Sequence, residues 1–155
     1  MSLSPHVGSI PWRASPPAEE ATSDAPVIVL VVDDYANCRT ATRFLLQSAG
    51  HEVIEAATGL EAMRLVADMA PSVILLDMVL PGLDGWEIAR RLRNDQRTRD
   101  TAIIAVTALS GADDHDRAMV AGCDAVLTKP VPPSTLLAVI RQHAGTGIQA
   151  RAQFR

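Results

Sequence analysis

Lysine is almost missing from this chain. Of its 14 basic residues only Lys129 is a lysine, and the rest are arginine. Aromatic residues are scarce as well, at 3%, although hydrophobic residues reach 48%. A core built from such a composition is aliphatic, made of Val, Ile, Leu and Ala. Cysteine occurs twice, at Cys38 and Cys123, far apart and with no CxxC pair. That spacing argues against a disulfide framework or a zinc site, and fits two small half-buried residues in a reducing compartment. No apolar run approaches the roughly 20 residues a membrane-spanning helix needs, so no membrane association is expected. The N-terminus lacks a basic stretch followed by an apolar segment, so a secretory signal is not expected and the cytoplasm is. Net charge is −4, which provides no basic face for nucleic acid. With 155 residues the chain has room for one domain.

The chain divides by composition. Residues 1–25 carry Pro5, Pro11, Pro16 and Pro17 among Ser and Ala and show no helical or strand period. They are expected to form a disordered leader, with Trp12 incidental to it. Residues 26–143 form the folded domain. Residues 144–155 follow the last periodic segment and contain Gly145 and Gly147, so a flexible tail is expected there. Twelve residues are too few for an output domain, so any signal is expected to leave by protein contact.

Within 26–143, apolar runs alternate with helical patterns. Val27–Val32, His51–Ala56, Ser72–Leu76, Ala102–Val106 and Ala125–Leu127 read as strands. Several are continuous and β-branched, as strands covered on both faces are. Between and after them, Asn37–Ser48, Gly59–Met69, Trp86–Arg93, Asp113–Ala121 and Ser134–His143 read as helices. Five such repeats predict an α/β fold: a doubly wound, five-stranded parallel sheet with helices on both faces. In that architecture ligands bind beyond the carboxyl ends of the strands.

Polar residues stand at those ends. Strand one ends in Asp33–Asp34, strand three in Asp77, strand four in Thr107 and strand five in Thr128–Lys129–Pro130. Three converging carboxylates repel one another unless a cation joins them. With no His or Cys in the set, and too few ligands for a Ca²⁺ cage, Mg²⁺ is the expected ion. Taken alone, Asp33–Asp34 could merely cap the first helix, and Thr107 could merely end a strand. Asp77, between an ion and Lys129, is placed to accept a phosphoryl group, because carboxylates form aspartyl phosphates. Such transfer needs positioned charge more than acid–base groups. A compact lysine suits a crowded phosphoryl site better than a planar arginine. His6, His51, His115 and His143 are read as solvated.

An acidic pair, then Asp77 followed by the loop Met78–Gly85 (MVLPGLDG), then Thr107–Ala108, then Lys129–Pro130 resemble the receiver domain of two-component response regulators. The resemblance covers Pro26 to His143. It implies a flavodoxin-like fold with strand order 2-1-3-4-5. Asp77 would be the phosphoacceptor. Asp34 would bind Mg²⁺ directly, Asp33 mainly through water, and the Val79 carbonyl would complete the metal shell. Thr107 and Lys129 would hold the phosphoryl oxygens, and a cis Lys129–Pro130 peptide is expected. The donor would be a phosphohistidine on a sensor histidine kinase or a phosphotransfer protein, and the output a downstream protein target. Such a domain is not an enzyme beyond its own phosphorylation and dephosphorylation.

Two positions depart from the family. Val126 stands where an aromatic residue commonly lies three before the lysine, so any switching is expected to be small or differently built. Val79 and Leu109, each two residues past a phosphoryl-site residue, are apolar and offer no side chain to orient water. A long-lived acyl phosphate is expected for that reason. Two rivals remain: an Mg²⁺-dependent hydrolase with an aspartyl nucleophile, and a receiver-fold interaction module that is no longer phosphorylated. The hydrolase would need a second aspartate where Val79 stands.

Overall fold

The computed structural model describes residues 25–153. The leader expected over 1–25, with His6 and Trp12, lies outside the described residues except for Ala25. The described chain alternates β1 (Ile28–Val32), α1 (Ala36–Ser48), β2 (Glu52–Ala56), α2 (Gly59–Met69), β3 (Val73–Leu76), α3 (Gly85–Asn94), β4 (Ala102–Thr107), α4 (Ala112–Ala121), β5 (Ala125–Thr128) and α5 (Pro133–Gln153). The strands form one parallel sheet in the order β2-β1-β3-β4-β5, as expected.

The two faces of the sheet explain the unbroken apolar runs. Leu30, Val32, Ile74, Leu76, Ile103 and Ala105 point to one side, where they meet α2, α3 and α4. Their neighbours Val29, Val31, Val73, Leu75 and Ile104 point to the other, against α1 and α5. Successive side chains on a strand alternate in direction, so a strand covered on both faces has no polar position to spare. At about 25 cal/mol per Å² of apolar area removed from water, these aliphatic layers are the main stabilising contribution.

Register brings the strand ends level. Val32 pairs with Ala56 and Leu76, Leu76 with Ala105, and Thr107 with Thr128. Backbone bonds carry the ladder one step further, from Asp33 N–H to Ala56 O and from Asp77 N–H to Val32 O. The residues after β1, β3 and β5 therefore emerge along one edge.

Helix α2 starts at Thr58, whose hydroxyl accepts from Glu61 N–H, and α3 starts at Asp84, whose carboxylate accepts from Glu87 N–H at 2.9 Å. Such caps satisfy amides that the helix leaves open.

Two expectations fail. The sequence pattern stops the last helix at His143, but α5 runs on to Gln153 and Ala144 is buried. Glycine costs a helix interior about 1 kcal/mol relative to alanine, which weakens but does not forbid it. The apolar face of α5, through Leu136, Ile140 and Ala144, seats the helix on the sheet up to its glycines. His51, read as solvated, is buried beside the start of β1, and Val27 N–H donates to its Nδ1 at 3.3 Å. Burial holds its pKa below the ordinary histidine range. Both cysteines are free; Cys38 is half-buried as expected, but Cys123 is buried among the aliphatic side chains of the α2–α4 face.

Candidate functional site

Oxygens of Asp33, Asp34 and Asp77 lie within 4.8 Å of one another at the carboxyl edge of the sheet. Asp33 and Asp77 are nearly buried, at 7% and 9% exposed, whereas Asp34 faces solvent. Asp33 Oδ1 accepts from Tyr35 N–H at 2.9 Å, which turns its second oxygen towards Lys129. Lys129 Nζ donates to Asp33 Oδ2 at 3.1 Å and to Asp77 Oδ2 at 3.2 Å, so one ammonium bridges two strand ends. Asp77 Oδ1 accepts from Val79 N–H at 3.0 Å, which fixes the carboxylate against its own loop.

Beside these groups a cavity of about 650 Å³ opens between α1 and α5, walled by Cys38, Ala41, Leu45, Val106, Val131 and Leu136. The wall is largely apolar. Loss of water pushes the Asp77 pKa up, and Asp33 adds to this, although the Val79 amide and Lys129 pull the other way. Burial also acts against the Lys129 charge, but hydrogen bonding to Asp33 and the charges of Asp77 and Asp33 outweigh it and raise its pKa. Lys129 is therefore protonated at neutral pH. Three carboxylates and one ammonium leave an acidic excess made entirely of hard oxygen donors. That donor set fits a small divalent cation of the Mg²⁺ type and no soft metal.

Thr107 comes to the same edge but not into the carboxylate group. It is buried, and its Oγ1 accepts from Leu109 N–H at 3.1 Å. Its carbonyl accepts from Lys129 N–H at 2.8 Å, which ties the threonine and lysine strands together. The peptide Lys129–Pro130 is cis, as expected. Val79 exposes its side chain to solvent while its amide serves Asp77.

The family of response regulator receiver domains matches residues 29–141, nearly the whole alternating region. This chain belongs to that family. Among curated relatives, the phosphate regulon transcriptional regulatory protein PhoB of Pseudomonas aeruginosa is 39% identical over 113 residues, 73% of this chain. The receiver chain spans about half of PhoB, 49% of its length. The polar-differentiation response regulator DivK of Brucella anthropi is 32% identical, with 77% of this chain and 98% of DivK covered. Among solved structures, the receiver domain of a Pseudomonas aeruginosa sensor histidine kinase superposes with TM-score 0.73 at 30% identity, covering 78% of this chain and 99% of that one. That structure holds a magnesium ion coordinated in its active-site cleft. Receiver domains are signalling modules of two-component systems, and this chain is one of them by family.

Some supporting residues of this receiver domain were not singled out in the sequence. Arg39 donates from Nη1 to the Asp33 carbonyl at 2.8 Å and faces Glu55 of β2 at 3.6 Å, so it braces the acidic turn from α1. Gly85 lies so close to the β3–α3 loop that a Cβ there would fall 2.5 Å from Met78 Cα and 2.6 Å from the Asp77 carbonyl. Gly59 is pressed in the same way against Leu83 of that loop. The loop Met78–Gly85 was part of the sequence motif, but no sequence signal marked these contacts. His115, read as solvated, has Nε2 3.1 Å from Thr128 Oγ1.

Proposed function

We propose that this receiver domain is a phosphorylation-dependent switch, with Asp77 as phosphoacceptor and Mg²⁺ held by Asp33, Asp34, Asp77 and the Val79 carbonyl. The observation that carries the reading is the Lys129 ammonium bridging Asp33 and Asp77 inside a three-carboxylate group. When bound, the ion supplies positive charge against the phosphoryl oxygens.

The chain's own residues do the rest. Val79 N–H and Lys129 hold the Asp77 carboxylate in one orientation, so that it meets a phosphohistidine donor pre-positioned. A carboxylate oxygen forms the new bond to phosphorus as the phosphorus–nitrogen bond breaks, and the electron pair leaves with the imidazole. The product is an acyl phosphate on Asp77. Lys129 then neutralises the added charge, and the Thr107 hydroxyl turns to donate to a phosphoryl oxygen. The donor is a sensor histidine kinase or a phosphotransfer protein, the recipient of the signal is a protein, and the setting is cytoplasmic. Catalysis is confined to the domain's own phosphorylation state.

Site mapping tests the assignment. After treatment with acetyl phosphate and Mg²⁺, borohydride reduction converts an aspartyl phosphate to homoserine, which peptide sequencing should find at position 77. Homoserine elsewhere, or nowhere while phosphate is released, would favour a different acceptor or the hydrolase.

A further inference from the structure

The buried residues of α4 are Ala118 and Ala121, both in its C-terminal half. That half has other anchors: the Arg117 guanidinium lies 4.0 Å over the Trp86 ring, and Arg93 donates to the carbonyl of Gly122 at the helix end. The first turn buries nothing against the sheet. Among the described residues, its side-chain hydrogen bond to the sheet is that between His115 and Thr128.

Thr128 is a telling partner. It ends β5, lies level with Thr107 across the β4–β5 ladder, and precedes Lys129. Val126 packs towards α2–α4, while Ala125 and Leu127 pack towards α1 and α5. By alternation Thr128 shares the α4 face with Val126. Val126 has no side-chain polar atom to bond α4, whereas Thr128 meets His115 on that face.

The other end of the path is Thr107. Its hydroxyl oxygen accepts from Leu109 N–H in the loop 108–111, and that loop runs straight into α4. The Thr107 O–H is left free to donate to a phosphoryl group on Asp77, and a side-chain rotation towards that group would carry the oxygen away from the Leu109 amide and loosen the loop. A shift of the loop pulls on the first turn of α4, where Gly111 O accepts from His115 N–H at 3.2 Å.

We propose that His115 is a positioning residue, a latch that holds the first turn of α4 on β5 until Asp77 is phosphorylated. The inference rests on Asp77 being the phosphoacceptor. A contact that stabilises only the unphosphorylated state must weaken binding of the phosphoryl group by the same factor. One hydrogen bond of ordinary net strength corresponds to about two- to tenfold.

The test uses the full chain with Mg²⁺ and beryllofluoride, an acyl phosphate analogue, titrated by calorimetry. His115→Ala and Thr128→Val should each bind about two- to tenfold tighter than the parent, and the double variant no tighter than either. His115→Gln, which keeps a polar group near the same place, should return towards parent affinity. The His115 ring resonances of the parent should move on beryllofluoride addition. Unchanged or weaker binding in the single variants, or a double variant equal to the product of the two, would overturn the latch. A parent that binds no beryllofluoride would instead overturn the phosphoacceptor reading, and the latch with it.

Discussion

Asp77 bears a charge that the fold opposes. Its pKa is raised above the ordinary 3.8, first by loss of water, and Lys129 only partly compensates. The sign of the consequence is fixed by linkage. A native carboxyl that holds its proton more tightly than the unfolded chain loses stability as pH rises from the unfolded value through the folded one. Asp77→Asn should therefore be more stable than the parent in EDTA, by a margin that widens as pH rises from the ordinary carboxylate range through the raised Asp77 value. Urea midpoints across that range check it; a margin that does not change with pH would refute it. Mg²⁺ should close the gap, since a ligand that binds only the native state stabilises it. Val79 and Leu109 supply a second residue-scale expectation. Val79 is exposed, and Leu109 packs against the α2–α4 core, so neither presents a polar group to water. Replacing both with polar side chains should speed loss of the phosphoryl group by about one hydrogen bond's worth, roughly fivefold. Decay of phosphorylated protein followed by mass checks this, and an unchanged half-life contradicts it.

At the scale of elements, the loop Met78–Asp84 is where fold and chemistry meet. It hangs from Asp77, is capped into α3 by Asp84, and is clamped by the close approach of Gly85 and Gly59. The two nearest contacts at Gly85 are to backbone atoms, which cannot turn aside as a flexible side chain would. Gly85→Ala should cost about 1–3 kcal/mol of stability and displace the loop that orients the Asp77 carboxylate. Both effects should appear together, as a lower urea midpoint and slower phosphorylation by acetyl phosphate; normal phosphorylation in a destabilised variant would show that the loop does not orient the acceptor. The far end of the sheet is secured differently. Arg93 reaches from α3 to the carbonyls of Gly122, Arg99 and Thr101 and to the Asp124 carboxylate, and Asp124 in turn accepts from Ile103 N–H. This staple leaves the carboxyl edge free to carry the site.

Across the whole molecule, the architecture was readable because it follows from local pattern. Val29–Val32 and Val73–Leu76 are apolar on both sides of the strand, so they predict a sheet with two covered faces. Parallel register then brings Asp33, Asp77 and Lys129 to one edge, which is why an acidic pair, one aspartate and the single lysine pointed to one candidate site. What was not readable depends on neighbours distant in sequence. The burial of His51 is set by Val27 across the β1–β2 pair, the brace from Arg39 by Glu55, and the extension of α5 by the sheet beneath Ala144. His115 and Thr128 are ordinary residues until α4 lies over β5.

Transfer of a phosphoryl group to Asp77 in the presence of Mg²⁺ is read by intact mass. Parent and Asp77→Asn are incubated with acetyl phosphate, each with and without Mg²⁺. The parent with Mg²⁺ should gain the mass of one phosphoryl group, and the other three samples none. An equal gain in Asp77→Asn, or no gain and no released phosphate in the parent, would contradict it.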